Sequence, residues 1–232
     1  MGRPVIGVVI PALNESPTVG AVVERTIATI PDAIVVVVDD ASDDGTDRIA
    51  REAGARVIVN QTSLGYAGAL CAGYRAVIEA GANRVLQLDA DGQHTPEELP
   101  GLLAELDTHD LVIGSRFLGA GYPMSKARRI GIEATRLMAR TLGVNVTDPT
   151  SGIRAMRLSV AKPLAESGYP DGLTESTFLI WVARRGLSIT EVPVTMRPAP
   201  GSRSMHDGMA GIIHFGRIVR STLGFALRRE GR

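Results

Sequence analysis

Val85-Leu86-Gln87-Leu88-Asp89-Ala90-Asp91-Gly92-Gln93-His94 is the stretch on which the reading of this chain turns. A mostly apolar, branched run of strand length stops at two carboxylates one residue apart, followed by a glycine and two more polar side chains. In extended backbone side chains alternate with period two, so Asp89 and Asp91 are expected on one side, facing one cation and its anionic ligand. Hard carboxylate oxygens suit Mg2+ or Mn2+, which bind through one or two carboxylates and complete their shell with substrate phosphates. Taken alone, the pattern also describes a solvated turn after a strand, and the rest of the chain decides between the two.

Outward from this stretch, strand and helix patterns alternate. Val5 to Ile10 is a continuous apolar run, as expected of a strand buried on both faces of a parallel sheet, and it ends at Pro11-Ala12-Leu13-Asn14-Glu15-Ser16. Ser16 or Thr18 can cap a helix to about Ile30, with Val19, Val22, Val23, Ile27 and Ile30 at helical spacing. A strand at Ile34 to Val38 runs into Asp39-Asp40-Ala41-Ser42-Asp43-Asp44-Gly45-Thr46, followed by a short helix to about Glu52 and a strand at Val57 to Val59. Leu64-Gly65-Tyr66-Ala67-Gly68-Ala69 opens a Gly- and Ala-rich helix, whose small residues suit close approach to the sheet or to phosphates.

Thr95-Pro96-Glu97-Glu98 starts a helix that ends near Leu106, with a cap, proline at the first position and acids in the first turn. Leu111 to Arg116 is the next strand, Lys126 to Leu142 a helix rich in arginine, and Asp148 to Arg154 a polar turn. A helix from Thr177 to Arg185, a strand from Ile189 to Val194, a loop from Arg197 to His206 and a final helix from about Met209 to Arg229 complete the chain. These patterns predict an α/β fold, a mostly parallel Rossmann-like sheet with helices on both faces. Right-handed crossovers gather the strand ends at one edge, where ligands of such sheets bind.

Composition narrows the function. The 232 residues are 44% hydrophobic, with 25 basic against 25 acidic side chains, enough for one large domain and without the basic excess that nucleic acid demands. Aromatic residues, at 4%, are too few for a base-stacking platform. The single cysteine, Cys71 among Ala69, Leu70 and Ala72, excludes an internal disulfide framework and reads as a buried small side chain rather than a nucleophile. No basic and apolar leader and no run of about 18 apolar residues is expected to target or span a membrane. Neither G-x-G-x-x-G nor G-x-x-x-x-G-K-[ST] occurs, which argues against a dinucleotide-dependent oxidoreductase and a P-loop NTPase. His206 and His214 lack paired ligand spacing, Trp181 lies with Leu179 and Ile180 on an apolar face, and Arg184 and Arg185 read as a solvated helix end.

Four strand ends thus bring Asn14 and Glu15, Asp39 and Asp40, Asp89 and Asp91, and Arg116 to one edge. That set fits a nucleoside diphosphate: acceptors for base and ribose, a cation for the pyrophosphate, and basic groups for charge on the leaving group. With Ile10-Pro11-Ala12-Leu13-Asn14-Glu15, Val37 to Thr46, Leu64 to Ala69, Asp89 to His94, Gly114-Ser115-Arg116, Asp148 to Arg154 and Glu191-Val192-Pro193-Val194, the chain resembles family 2 glycosyltransferases of the GT-A fold. Within them it is similar to the polyprenyl-phosphate (dolichyl-phosphate) mannose synthase branch, from Val5 to about Asp207.

The resemblance implies a metal-dependent inverting glycosyltransferase that moves a sugar from GDP-mannose or a UDP-sugar to a polyprenyl phosphate. It implies that Pro11, Ala12, Asn14, Glu15, Asp40, Gly65, Asp89, Ala90 and Arg203 meet the nucleotide sugar, and that Asp89, Asp91 and Gln93 hold Mg2+ or Mn2+. Asp91, Arg116 and Glu175 would be catalytic, with Ser151 and Arg154 toward the acceptor. The alternative is the same fold glycosylating a soluble hydroxyl, with Glu175 or His94 as base.

Two positions depart from the family's pattern. Met205 stands where a Gly-x-Ser-Lys loop would carry its lysine, leaving Arg203 or Arg197 to replace it, and Glu175 is only near the branch's usual acidic position, where Thr174-Glu175-Ser176 also reads as a helix cap. Residues 1–207 are expected to form the catalytic domain. In 208–232, Met209, Ile212, Ile213, Phe215, Val219, Leu223, Phe225 and Leu227 lie among Arg217, Arg220, Arg228 and Arg229. That pattern suits an interfacial helix on a cytoplasmic membrane face, or one packed on the domain or on a second subunit of a homodimer.

Overall fold

The computed structural model describes residues 3–119, 126–167 and 175–197. Arg203, His206, His214, the boundary at residue 207 and the C-terminal helix pattern lie outside these. The described elements are β1 (Ile6–Ala12), α1 (Val19–Thr29), β2 (Ile34–Asp39), α2 (Thr46–Glu52), β3 (Arg56–Val59), α3 (Gly65–Glu79) and β4 (Arg84–Gln87). Then follow α4 (Leu99–Glu105), β5 (Leu111–Ser115), α5 (Lys126–Thr141), β6 (Arg154–Arg157), α6 (Leu158–Ser167), α7 (Glu175–Arg184) and β7 (Ile189–Pro193).

The strands form one sheet in the order β3-β2-β1-β4-β6-β5-β7, parallel except for β6, which runs antiparallel to both its neighbours. Alternation assigns each strand's apolar side chains to two opposite layers. Val9, Val36, Val38, Val85, Leu111, Ile113 and Met156 pack on one face with Tyr74 of α3, Val160 of α6 and Phe178 of α7. Val8, Ile10, Val35, Val37, Leu86, Val112 and Ala155 pack on the other with Val22 of α1, Ala50 of α2 and Leu102 of α4. This is the burial on both faces that the continuous apolar runs call for. The small residues of α3 serve the close approach anticipated for them, since a Cβ at Gly73 would stand 2.2 Å from Val9 Cγ1.

Several local expectations are corrected. Arg154, read as the last residue of a polar turn, instead opens β6, and α6, which the sequence patterns did not assign, follows it directly. Thr18 and Thr95 occupy helix-start positions, yet neither side chain caps a backbone amide. Thr18 Oγ1 instead donates to the Glu15 carboxylate at 3.0 Å. Pro96 opens a 3-10 turn, Pro96–Glu98, before α4 begins. Cys71 and Trp181 are buried, the latter stacked on Phe178 at 6.2 Å, while Arg185 lies over the Trp181 ring at 4.0 Å rather than being wholly solvated. Among the described residues no helix is long and apolar enough to cross a membrane.

Candidate active site

The loops after β1 and β2 are laced together before any ligand is considered. Asn14 N donates to Ser42 Oγ, Asp43 N to Asn14 Oδ1, Glu15 N to Thr46 Oγ1 and Ser16 N to Asp44 Oδ2, all at 2.9–3.0 Å. This bracing holds Asn14 and Ala41 at positive φ, 56° and 69°. Asp40, 4% exposed, accepts from Asn60 Nδ2, Ser63 Oγ, Leu64 N and Gly65 N at 2.6–2.8 Å. Those donors occupy the roughly four lone-pair sites a carboxylate offers, so Asp40 shapes the turn that leads into Gly65. Burial opposes its ionisation, but these hydrogen bonds outweigh it and lower its pKa.

The acidic pair is reached differently from the way alternation along a strand suggested. β4 stops at Gln87, although Leu88 N still donates to Val9 O at 3.2 Å, and residues 90–92 form a turn with Gly92 at φ 73°. Gln93 returns to Asp91 through both its backbone N, 2.9 Å from Oδ1, and its amide, 2.8 Å from Oδ2. Asp89 is held from three sides. Tyr66 donates to Oδ1 at 2.8 Å, the buried His94 Nε2 stands 3.4 Å from Oδ2, and the Gly152 backbone lies so close that a Cβ there would be 2.0 Å from Oδ2. Ala90 is buried beneath the turn.

The carboxylates of this corner oppose one another's ionisation. Burial raises the pKa of Asp91, the negative charge of Asp89 raises it further, and Gln93 only partly offsets the two. Glu15 is likewise raised by burial and by the charges of Asp91, Asp89 and Asp44, with the Thr18 hydroxyl opposing. Burial would push Asp89 the same way, but His94, Tyr66 and the charge of Arg154 outweigh it and keep its carboxyl low. No cluster of three or more His, Cys, Asp or Glu among the described residues suffices to hold a metal. Two carboxylates and an amide oxygen from Gln93 are the donor set of a hard ion that completes its shell with phosphate oxygens and water.

On the far side of this corner, Arg116 is 6% exposed and does not point into open space. Its Nε and Nη2 grip the fully buried Asp148 at 2.6 and 2.9 Å, and Nη2 also reaches Thr150 Oγ1 at 2.8 Å. Glu191 of β7 accepts from Thr147 N and Asp148 N at 2.6 and 2.8 Å, fixing the same turn from behind. Ser151 Oγ donates to Gly114 O at 2.6 Å. Arg154 is 1% exposed, its guanidinium carbon 5.0 Å from the centre of the Phe178 ring and its Nε and Nη2 without a hydrogen-bond partner among the described residues. Ser151 and Arg154 thus stand inside the wall of the site rather than on its surface.

Glu175 is the first residue of α7, and its side chain lies outside the described residues. Pro11 and Ala12 end β1 and are buried. Sequence reasoning missed Asp148, Glu191, Gly152 and Gln87 as parts of the site. The amide of Gln87, fully buried next to the apolar Val85 and Leu86, was the one local signal available.

The family model of glycosyl transferase family 2 matches residues 7–164. An undecaprenyl-phosphate mannosyltransferase of Micrococcus luteus is 35% identical over 96% of this chain and 95% of its own. A polyprenol monophosphomannose synthase of Mycolicibacterium smegmatis is 34% identical over 81% of this chain and 76% of its own, and a dolichyl-phosphate hexose transferase of Haloferax volcanii 34% identical over 96% of each. Among solved structures, glucosyl-3-phosphoglycerate synthase of Mycobacterium tuberculosis in complex with Mn2+, UDP and glucosyl-3-phosphoglycerate superposes with a TM-score of 0.73 at 23% identity, covering 98% of this chain and 82% of that one. The overlay places the present sheet in the GT-A fold. With a carboxylate pair turned out at the end of β4 and a family match over most of the sheet, the chain belongs to glycosyl transferase family 2 and is a glycosyltransferase.

Proposed function

We propose that this enzyme moves a hexose from a nucleoside-diphosphate sugar, GDP-mannose or a UDP-sugar, onto a polyprenyl phosphate, with Mg2+ or Mn2+ bound and with inversion at the anomeric carbon. The observation that carries the acceptor is the agreement of three relatives that match most of this chain and are all named for undecaprenyl, polyprenol or dolichyl carriers. The acidic corner supports the donor half. Asp89, Asp91 and Gln93 would hold the ion, which when bound neutralises charge developing on the departing diphosphate. Asn14, Glu15 and the ends of β1 and α3, with Pro11, Ala12 and Gly65, would line the nucleoside, with Asp40 setting the shape of that wall and Ala90 the floor under the diphosphate.

The acceptor brings its own charge. A phosphate monoester loses its second proton near pH 6, so its oxygen is already a nucleophile at neutral pH and attacks the anomeric carbon as the diphosphate leaves. No proton has to be removed, and neither Glu175 nor His94 is needed as a base. Burial of His94 against Asp89 supports that economy. Arg197 is exposed, and its backbone N donates to Gln93 O at 2.8 Å. It is therefore anchored beside the metal loop and is our candidate for the cation that replaces the missing lysine, with Arg203 as the other. Arg116 acts through Asp148 and Thr150, holding the turn that carries Ser151 and Arg154. Use of a lipid acceptor would place the enzyme on a cytoplasmic membrane face as a peripheral protein, through residues 208–232.

The test is a donor panel of GDP-mannose, UDP-glucose and UDP-N-acetylglucosamine with Mn2+, run with a short-chain polyprenyl phosphate, with a soluble sugar alcohol and with neither. Transfer only to the lipid phosphate is expected. Transfer only to the hydroxyl acceptor would replace this reading with the soluble-acceptor one.

A further inference from the structure

Behind Asp89 a buried chain of side chains runs from the core to the metal loop. Tyr74, fully buried on α3, donates its hydroxyl to Gln87 Oε1 at 2.5 Å. Gln87 Nε2 donates to Gly152 O at 3.1 Å and to Tyr66 Oη at 3.0 Å, and Tyr66 donates onward to Asp89 Oδ1 at 2.8 Å. The direction of this chain is fixed by chemistry. A carbonyl can only accept, so the side of the Gln87 amide facing Gly152 must be the NH2, and Oε1 is left to Tyr74. The second Nε2 hydrogen then points at Tyr66 Oη, which spends a lone pair on it and directs its own hydrogen to the carboxylate.

From this we infer that Tyr66 is a positioning residue for the metal site: its hydroxyl, oriented by Gln87, locks the rotamer of Asp89 so that the remaining lone pairs face the incoming cation. The inference rests on the proposed reading of Asp89 and Asp91 as metal ligands and adds a residue to which that reading gave no role. Hydrogen-bond partners behind a ligand commonly govern metal affinity by 10–100-fold. Tyr66 is half-exposed at the start of α3, so its substitution leaves the core intact, whereas Gln87 and Tyr74 are fully buried and their loss would perturb packing.

The experiment titrates the full chain with Mn2+ in the presence of GDP, and separately of UDP, following the electron paramagnetic resonance signal of the free ion. Tyr66→Phe is expected to weaken Mn2+ uptake about tenfold or more, with Tyr66→Leu weakened to a similar extent. Binding of the same diphosphates in EDTA, by calorimetry, and the melting temperature should be unchanged in Tyr66→Phe. Wild-type Mn2+ affinity in Tyr66→Phe would overturn the inference, since the ring and not the hydroxyl would then matter if Tyr66→Leu loses affinity, and neither would if it does not. Equal loss of diphosphate binding in EDTA would also overturn it, by making Tyr66 a ligand contact. A wild-type chain that takes up no Mn2+ with either diphosphate would remove the metal site itself, and the inference with it.

Discussion

Gly152→Ala isolates the geometry of the metal corner from the stability of the fold. Gly152 does not lie in the left-handed region, so alanine meets no backbone objection there, and stiffening the unfolded chain would by itself favour folding by about 0.4–1 kcal/mol. The cost falls on Asp89. The new Cβ would stand 2.0 Å from Oδ2 and 2.7 Å from Cγ, where ordinary contact begins at 3.4 Å, so the carboxylate must move by 1.4 Å (3.4 minus 2.0) or the turn must yield. Such a shift breaks the 2.8 Å hydrogen bond from Tyr66 and displaces the carboxylate proposed as a metal ligand. Misplacement by about 1 Å at a reacting centre can cost about 100-fold in rate, or about 2.7 kcal/mol of transition-state stabilisation. The assay is kcat/KM for sugar transfer at several Mn2+ concentrations beside urea unfolding of the same preparation. A loss near 100-fold, with an unfolding midpoint close to that of wild type, is expected. Activity within threefold of wild type would show that Asp89 does not work from the position it holds here.

Asp91→Ala should lower turnover by roughly 100-fold or more, the scale of a lost electrostatic element, and EDTA should abolish transfer by the wild type until Mg2+ or Mn2+ is restored. Full turnover of either in EDTA would remove the metal from the mechanism. Asp148→Ala leaves the buried Arg116 guanidinium without its carboxylate and should cost about 3–5 kcal/mol of stability, read by denaturant unfolding; a loss below about 1 kcal/mol would mean that the pair contributes little to the fold. Asp44 gives the pH dependence. Burial opposes its ionisation, but hydrogen bonds from Thr46 and Ser16 prevail and hold its pKa at about 2, against an ordinary value of 3.8. A depressed acid contributes stability above its unfolded pKa and loses it as pH falls toward the folded value. Asp44→Asn should therefore flatten the fall in stability between about pH 4 and pH 2, and an unchanged slope would contradict the assignment.

Much of this architecture was legible because burial on both faces writes an unmistakable signal. β1, β2 and β5 are built mainly on valine, isoleucine and leucine, and polar side chains gather at or just beyond the end of each. The acidic turn was legible for the same reason. β6 was not, because its four residues, Arg154-Ala155-Met156-Arg157, carry two arginines and obey neither apolar continuity nor simple alternation. Only the tertiary surroundings, with Arg154 over Phe178 and the Arg157 Nε donating to Leu106 O at 2.7 Å, make that strand tolerable. The pairing of Arg116 met a similar limit, since its partner Asp148 lies 32 residues away. Gln87 and Gly152 meet across 65 residues, and no local pattern announces such a pairing.

The position of β6 has a consequence for how the enzyme comes into being. Among the described strands, β6 alone joins the β3-β2-β1-β4 half of the sheet to β5 and β7. During synthesis the first half can assemble from parallel neighbours as it emerges, but β5 must wait, its edge unpaired, until residues 154–157 have left the ribosome. The same late event brings Gly152 against Asp89. A nascent or truncated chain lacking β6 would hold a carboxylate pair with no back wall, so on the proposed reading of that pair competence for catalysis arrives with the closing of the sheet.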